Sequence, residues 1–144
     1  MLRRCMIAIF LLSGCDDAVS VPTDETAVPI EYVAASVSQV DLNIIEVTTI
    51  LRNPTAEIDS NRFSSCMAAG WAQERGYLRF TRLRGQLLID QNQHDNTVRY
   101  NVRRVDASGR DDSESAGLFR GICELSSIPV NDEQLEAARG DNNI

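Results

Sequence analysis

Apolar residues between positions 63 and 71 recur with the period of an α-helix, and strand-like sequence lies on both sides of them. They form one stripe made of Phe63, Cys66, Met67, Gly70 and Trp71. Thr55 is placed to cap the N-terminus, where Glu57 suits the positive end of the helix dipole. Gly76, followed by Tyr77, stands where a left-handed C-cap favours glycine. The pattern predicts a main helix over about 56–75.

Alternating apolar residues precede this helix, from about Ser36 to Leu51. Val40, Leu42 and Ile44 share one parity, whereas Ile45, Val47, Thr49 and Leu51 share the other. Because a shift of one residue reverses the face on which side chains lie, we expect either a bulge near Ile44–Ile45 or two short strands.

Strand-like sequence resumes after the helix. We expect strands over 77–84 and 86–90 with a bend at Gly85, and then a turn or loop over 90–96. A half-buried strand through Val98, Tyr100 and Val102 is expected next, followed by a polar loop over 106–115. The chain is then expected to form a strand over 118–125 and a short helix over 132–139, capped by Asn131 or Asp132. One main helix on a mainly antiparallel sheet, with a short C-terminal helix, is an α+β fold. We expect one domain over 30–139 and a frayed tail over 140–144.

The first residues have the pattern of an export signal. Arg3 and Arg4 precede an apolar run, 5–12, that is much shorter than the roughly 20 residues of a membrane-spanning helix. The run ends in Leu12-Ser13-Gly14-Cys15, which resembles the lipobox of bacterial lipoproteins. The resemblance implies that residues 1–14 are a signal peptide and that the Cys15 thiol carries a diacylglyceryl group. The alternative is a plain N-terminal helix with an incidental cysteine. Residues 15–29 are acidic, contain two prolines, and are expected to form a flexible tether.

Two cysteines remain if Cys5 is removed and Cys15 is acylated. Cys66 lies on the apolar stripe of the helix, and Cys123 has the buried parity of the strand expected over 118–125. Disulfides persist in the oxidising compartment to which export leads. We therefore favour a Cys66–Cys123 disulfide over two separately buried thiols. Two cysteines are too few ligands for a structural zinc site, so we expect no metal there.

The segment from Asn53 to Phe80 resembles a family of small uncharacterised Gram-negative lipoproteins. Their pattern is a strand, Asn/Thr, a helix with an Ala-Ala pair, and a Gly-Tyr-x-x-Phe ending. The matching residues here are Thr55, Ala68, Ala69, Glu74, Arg75, Gly76, Tyr77 and Phe80. This resemblance, over about a fifth of the chain, implies architecture and location, and implies no chemistry.

The chain is acidic, and its positive charge comes from arginine alone. The sequence contains 14 basic and 21 acidic residues, a net charge of −7, and every basic residue is an arginine. Arg79, Arg99 and Arg103 are expected on solvent-facing strand positions. Such a face suits an anionic partner, although these arginines are also placed to pair with acidic neighbours across strands. Nucleic acid is not expected to bind so acidic a chain.

No pattern in the sequence indicates catalysis. His94 is the single histidine, and it lies in the polar stretch 90–96, where we expect a solvated loop. That stretch has oxygen-bearing residues at alternate positions, but it lacks the glycine and the final glutamate of a calcium-binding loop. We therefore expect no enzyme activity, no cofactor and no metal.

These observations lead to an expected function of a general kind. The chain is expected to be a lipoprotein of the cell envelope that faces the periplasm and acts as a structural or interaction module. Its partners would be membrane lipid through Cys15, and an envelope protein or an anionic ligand. An alternative is a periplasmic module that binds a small ligand or an anion through the arginine-rich face. Asp16, after the cysteine, slightly favours the inner over the outer membrane.

Overall fold

The computed structural model describes residues 28–104 and 112–141. Within these ranges the elements are β1 (Glu31–Asp41), β2 (Ile44–Arg52), α1 (Glu57–Glu74), β3 (Arg79–Asp90), β4 (Gln93–Arg103), β5 (Glu114–Ser115), α2 (Ala116–Leu125) and α3 (Asp132–Asp141). The five strands form one sheet in the order β1-β2-β4-β3-β5, and every neighbouring pair is antiparallel. The α+β fold class, with one main helix on an antiparallel sheet, is therefore confirmed.

The alternating stretch before α1 is divided between the two strands of a hairpin, with Val40 in β1, Leu42 in the turn and Ile44 in β2. Strand β1 pairs with β2 from Glu31↔Arg52 to Asp41↔Ile44, so only Leu42 and Asn43 lie between the strands. The change of parity is therefore produced by a turn and not by a bulge at Ile44–Ile45. Of the two parity sets, only the one that begins at Ile45 faces the core, whereas Leu42 is 77% exposed.

Helix α1 begins and ends close to the predicted residues. The N-cap residue is Ala56, and the Thr55 hydroxyl does not cap the helix but donates to Asp59 Oδ2 at 2.6 Å. Partial burial raises the pKa of Asp59, but hydrogen bonds from Thr55 and Ala56, together with the charge of Arg62, outweigh burial and hold the pKa below its ordinary value.

The C-terminus of α1 has the geometry expected for the glycine. Gly76 has φ +80°, a backbone conformation in which a residue with a side chain would be strained. Its N–H donates to Gln73, and the N–H of Tyr77 donates to Ala72 at 2.9 Å, which is the Schellman pattern. The Tyr77 ring then stacks on Trp71 with centroids 5.8 Å apart.

Small side chains allow α1 to lie close to its neighbours. Its buried residues are Ser60, Phe63, Ser64, Cys66, Met67, Ala68, Ala69, Gly70 and Ala72. At Gly70 the approach is closest, because a Cβ there would lie 1.9 Å from the carbonyl oxygen of Val130. The glycine thus admits the backbone that leads into α3.

Strand β4 includes much of the stretch that we expected to be a loop. Only Gln91 and Asn92 lie between β3 and β4, and Gln91 takes the turn conformation with φ +49°. The alternation of Val98, Tyr100 and Val102 extends back through Asn96 and His94. The turn or loop expected over 90–96 is thus limited to Gln91 and Asn92. The rest of the stretch is strand, because burial is maintained there by polar side chains, which a hydrophobic pattern does not register.

Strand β3 is continuous through Gly85, where a bend was expected. Its irregularity lies two residues earlier, between Arg82 and Arg84, so Leu83 is the extra residue. Gly85 instead lies close to the Val98 side chain of the neighbouring strand β4, since a Cβ at Gly85 would lie 2.8 Å from Val98 Cγ2.

Residues 118–125 form part of a helix and not the strand that we expected. Helix α2 begins after Ser115, whose hydroxyl accepts a hydrogen bond from the Leu118 N–H at 3.3 Å. Short apolar runs fit both periods; here Ala116, Phe119 and Cys123 face inward at helical spacing.

Helix α3 confirms the short C-terminal helix. Asn131 caps it, with Oδ1 accepting from the Gln134 N–H at 2.9 Å. The helix runs to Asp141, two residues beyond the predicted end, and the rest of the expected tail lies outside the described residues.

We predict that Gly70→Ala lowers the free energy of unfolding by about 2 kcal/mol, because the methyl group would displace the Val130 backbone. Gly121→Ala is the matched control, since a Cβ on that helical glycine meets nothing within 4 Å. Its helix propensity should make it neutral or stabilising by about 0.5–1 kcal/mol. Urea denaturation measures both, and equal effects would contradict the close approach.

Candidate functional site

The predicted lipid attachment residue, Cys15, lies outside the described residues. The signal segment 1–14 and the tether up to residue 27 lie outside them as well. In the part of the chain that the structure describes, no helix is both long and apolar enough to cross a membrane. A candidate site in the folded part therefore has to be sought on the sheet and its helices.

A disulfide links the main helix to α2. Cys66 on α1 and Cys123 on α2 are bonded, with their Cα atoms 5.8 Å apart and 57 residues of separation. Both residues are buried. The pairing agrees with the prediction, although Cys123 lies on a helix and not on the expected strand.

The three arginines of the predicted anion-binding face lie on one face of the sheet, and all three are engaged within the protein. Arg79 donates to the Ser113 hydroxyl through Nε at 2.9 Å and also donates to the Ser113 carbonyl. Arg99 forms an ion pair with Glu46 at 3.0 Å. Arg103 is opposite Arg79 in the register and is also engaged. These contacts favour the structural interpretation, in which the arginines tie the strands together.

His94 is buried, and the expectation of a solvated loop histidine was wrong. The imidazole is 7% exposed and points from β4 towards α1, where its Nδ1 lies 2.8 Å from Ser60 Oγ. Ser60 is completely buried. A serine nucleophile has to reach its substrate, so this contact serves to hold the helix on the strand and does not make a catalytic pair.

Further polar contacts join α1 to β4 along the same line. The Asn96 amide donates to Asn61 Oδ1 at 3.2 Å, and the Tyr100 hydroxyl lies 3.0 Å from both Ser64 and Ser65. Burial raises the pKa of Tyr100, against the lowering effect of these serine hydrogen bonds. We call this line of contacts, from His94 to Tyr100, the polar seam.

Two buried polar atoms beside the seam have no protein partner. They are Thr49 Oγ1 and Asn96 Oδ1, and their residues are opposite each other in the β2–β4 register. Both residues are almost fully buried. In folded proteins an ordered water commonly satisfies buried polar atoms of this kind.

A cleft lies where the C-terminal end of α1 meets the start of α3. Its volume is about 330 Å³, with Val37, Met67 and Trp71 among its apolar walls. Glu74, Asp132 and Glu133 lie on its rim. The Arg75 guanidinium already covers the Trp71 ring at 4.2 Å, and Tyr77 stacks on the same ring. The aromatic surface is therefore largely used within the protein.

Strand β3 presents an open edge. Strand β5 pairs only with Arg79 and Phe80, so within the described ranges residues 81–90 have no strand on the side away from β4. Leu88 and Ile89 are 59% and 55% exposed. An unpaired, partly apolar edge presents free backbone N–H and C=O groups and is a template for another strand. We call residues 81–90 the open edge.

Helix α2 exposes a second apolar surface. Leu118, Ile122 and Leu125 follow one another at helical spacing and are all more than half exposed. They lie opposite the inward stripe that contains Cys123. Helix α2 therefore has two apolar faces, one packed in the core and one exposed.

Metal binding has no support in the described ranges, 28–104 and 112–141. They contain no group of three or more histidine, cysteine or acidic residues that could hold a metal ion. The stretch 90–96, which weakly resembled a calcium loop, is a tight turn followed by strand β4.

Sequence reasoning identified neither the open edge nor the polar seam. The seam carries a signal in retrospect, since Ser60 and Ser64 lie one helical turn apart, opposite alternating residues of β4. The open edge had no such signal, because it depends on the strand order.

We predict that Ser60→Ala lowers the free energy of unfolding by about 1–3 kcal/mol, because it leaves the buried His94 Nδ1 without a partner. Ser36→Ala is the matched control, as Ser36 is exposed on β1. Denaturation midpoints compare the two variants. A loss no larger than that of Ser36→Ala would show that the seam contributes little.

Replacing both Cys66 and Cys123 by serine should lower the free energy of unfolding by about 4 kcal/mol, according to the chain-entropy description of a loop of this length. Urea denaturation with and without reductant measures the effect. Reductant should destabilise the parent chain and leave the double variant unchanged. A parent chain insensitive to reductant would contradict a stabilising bond.

Comparison with known proteins adds no relative to these observations. No family model matches the chain, no curated protein matches it, and no solved structure resembles it.

Proposed function

We propose that this chain is a lipoprotein of the cell envelope, anchored through acylated Cys15 and facing the periplasm. Its folded part would be a non-enzymatic interaction module. The anchor rests on the resemblance of Leu12-Ser13-Gly14-Cys15 to a lipobox. One acyl chain holds a protein at a membrane only marginally, whereas two or three chains make a lasting anchor.

The observation that carries the interaction role is the open edge of the sheet. Soluble proteins usually protect such edges. Here residues 81–90 have exposed Leu88 and Ile89, and no strand of the described ranges pairs with them on the side away from β4. A protein partner that adds a strand would satisfy both. The Cys66–Cys123 disulfide supports the proposed location, because such bonds persist in oxidising compartments.

The alternative function is the binding of a small anionic ligand by Arg79, Arg99 and Arg103. It has less support, since Arg79 is bonded to Ser113 and Arg99 to Glu46. We propose no nucleic acid, cofactor or metal as a partner. Asp16, directly after the proposed lipid attachment residue, slightly favours the inner membrane over the outer membrane.

Growing cells with a radioactive fatty acid tests the anchor. The parent chain should be labelled, and Cys15→Ala should lose the label, because the thiol is the proposed attachment point. Cys5→Ala is the matched control and should keep it, since Cys5 lies in the predicted signal segment. Absence of label on the parent chain, or equal label on Cys15→Ala, would refute the anchor. Separation of the inner and outer membranes then shows which one holds the labelled chain.

A further inference from the structure

The two edges of the sheet differ in regularity. At the β1 edge the register breaks twice, between Tyr32 and Ala34 and between Gln39 and Asp41. At the β3 edge the register breaks once, between Arg82 and Arg84, and the pairing is then unbroken over the seven residues from Arg84 to Asp90, against six from Ala34 to Gln39 at the β1 edge. Bulges deter the addition of a further strand, whereas a regular run accepts one. The segment from Arg84 to Asp90 is therefore the part of the sheet best suited to receive another strand.

We propose that the occupant of this edge is a second copy of the same chain, paired antiparallel through β3 about a two-fold axis at Leu87. The two sheets would then join into one continuous sheet. Twofold dimers with the same patch on both subunits are the most common oligomers. The proposal rests on the interaction role proposed above and names its partner, but it does not depend on the anchor at Cys15.

The faces of the strand restrict which residues can be opposite each other. Directly opposite residues in an antiparallel pair have their side chains on the same face. The β4 register places Arg84, Gln86, Leu88 and Asp90 on one face of β3, and Gly85, Leu87 and Ile89 on the other. A two-fold axis must therefore pass through a residue and not between two residues.

Charge selects Leu87 among the possible axes. With Leu87 opposite itself, Arg84 of each copy is opposite Asp90 of the other, and Gly85 is opposite Ile89. An axis at Leu88 would place Asp90 opposite Gln86, and an axis at Gln86 would place Asp90 opposite Arg82, which lies beyond the irregularity at Leu83. Only the axis at Leu87 pairs opposite charges within the regular run.

Both charges are available for such a pair. Among the described residues, neither the Arg84 guanidinium nor the Asp90 carboxylate forms an ion pair or a side-chain hydrogen bond, whereas Arg52, Arg99, Arg120 and Arg139 form ion pairs within the chain. The residues that would meet across the axis are also exposed or half-buried. The open edge thus has complementary charges at its two ends and apolar residues between them.

Disulfide crosslinking in cells, through one cysteine introduced on β3, tests the proposed register. In Leu87→Cys the two new thiols are opposite each other, at the Cα separation of about 4.5–5.5 Å that a disulfide spans. Non-reducing gels should show a crosslinked dimer, above the baseline of the parent chain in which Cys66 and Cys123 are already bonded. Leu42→Cys, in the exposed β1–β2 turn, is the control and should stay at that baseline.

A neighbouring position distinguishes the register from general contact. Leu88→Cys lies diagonal to its copy, at about 7–8 Å, and should crosslink much less than Leu87→Cys. A Leu87→Cys yield no higher than that of Leu42→Cys would overturn the dimer, as would a mixed disulfide with a different protein in its place. Preferential crosslinking of Leu88→Cys would overturn the axis at Leu87.

Charge reversal in the Leu87→Cys background supplies an independent readout. Arg84→Asp or Asp90→Arg alone turns two attractive pairs into repulsive ones and should weaken dimer formation roughly tenfold. The double variant restores opposite charges and should recover the parent yield. Failure of the double variant to exceed both single variants would refute the proposed pairing. If the parent chain carries no fatty-acid label but Leu87→Cys still crosslinks, only the proposed anchor is refuted. If the parent chain is labelled but Leu87→Cys does not crosslink above its control, only the proposed dimer is refuted.

Discussion

The close packing of α1 against the sheet is the contact on which the rest of the structure depends. Its buried face consists mostly of serine, alanine and glycine, so the helix backbone lies near strands β2 and β4. Gly70 of the same helix leaves room for the Val130 backbone, which leads the chain into α3. Cys66, four residues before that glycine, fixes α2 to the same helix. One helix thus positions the sheet, α2 and α3 together.

The polar seam shows that this packing is specific as well as apolar. A purely apolar interface would tolerate some sliding of the helix along the strand, because hydrophobic contact is not directional. A hydrogen bond between Ser60 and His94 and one donated by the Tyr100 hydroxyl to Ser64 fix the position of α1 on β4 at two points one helical turn apart. A shift of the helix would leave buried polar groups without partners, and that cost rises steeply in a dry interior.

The main helix and its glycine C-cap could be predicted because each depends on local spacing. Phe63 to Trp71 repeat at a helical period, and Gly76 marks the end. The sequence favours the cysteine pairing on another ground, since only Cys66 and Cys123 remain if Cys5 is removed and Cys15 is acylated, although Cys123 lies on a helix and not on the expected strand. His94 and α2 could not be predicted in the same way. Polar residues interrupt the alternation at the start of β4, although hydrogen bonds to the helix allow them to be buried. The apolar run of α2 fits two periods, and only the packed structure decides between them. The open edge depends on strand order, which local patterns do not contain.

The strand order also separates the open edge from the N-terminus. The residues that lead into the sheet enter at β1, and β3 lies three strand spacings away, about 14 Å across the sheet. A segment attached ahead of β1 joins the described domain at the edge away from the open edge. The near edge contains the bulges of β1, whereas the regular β3 run lies at the far edge. An anchor and a strand-adding partner could therefore act on the same domain without competing for one edge.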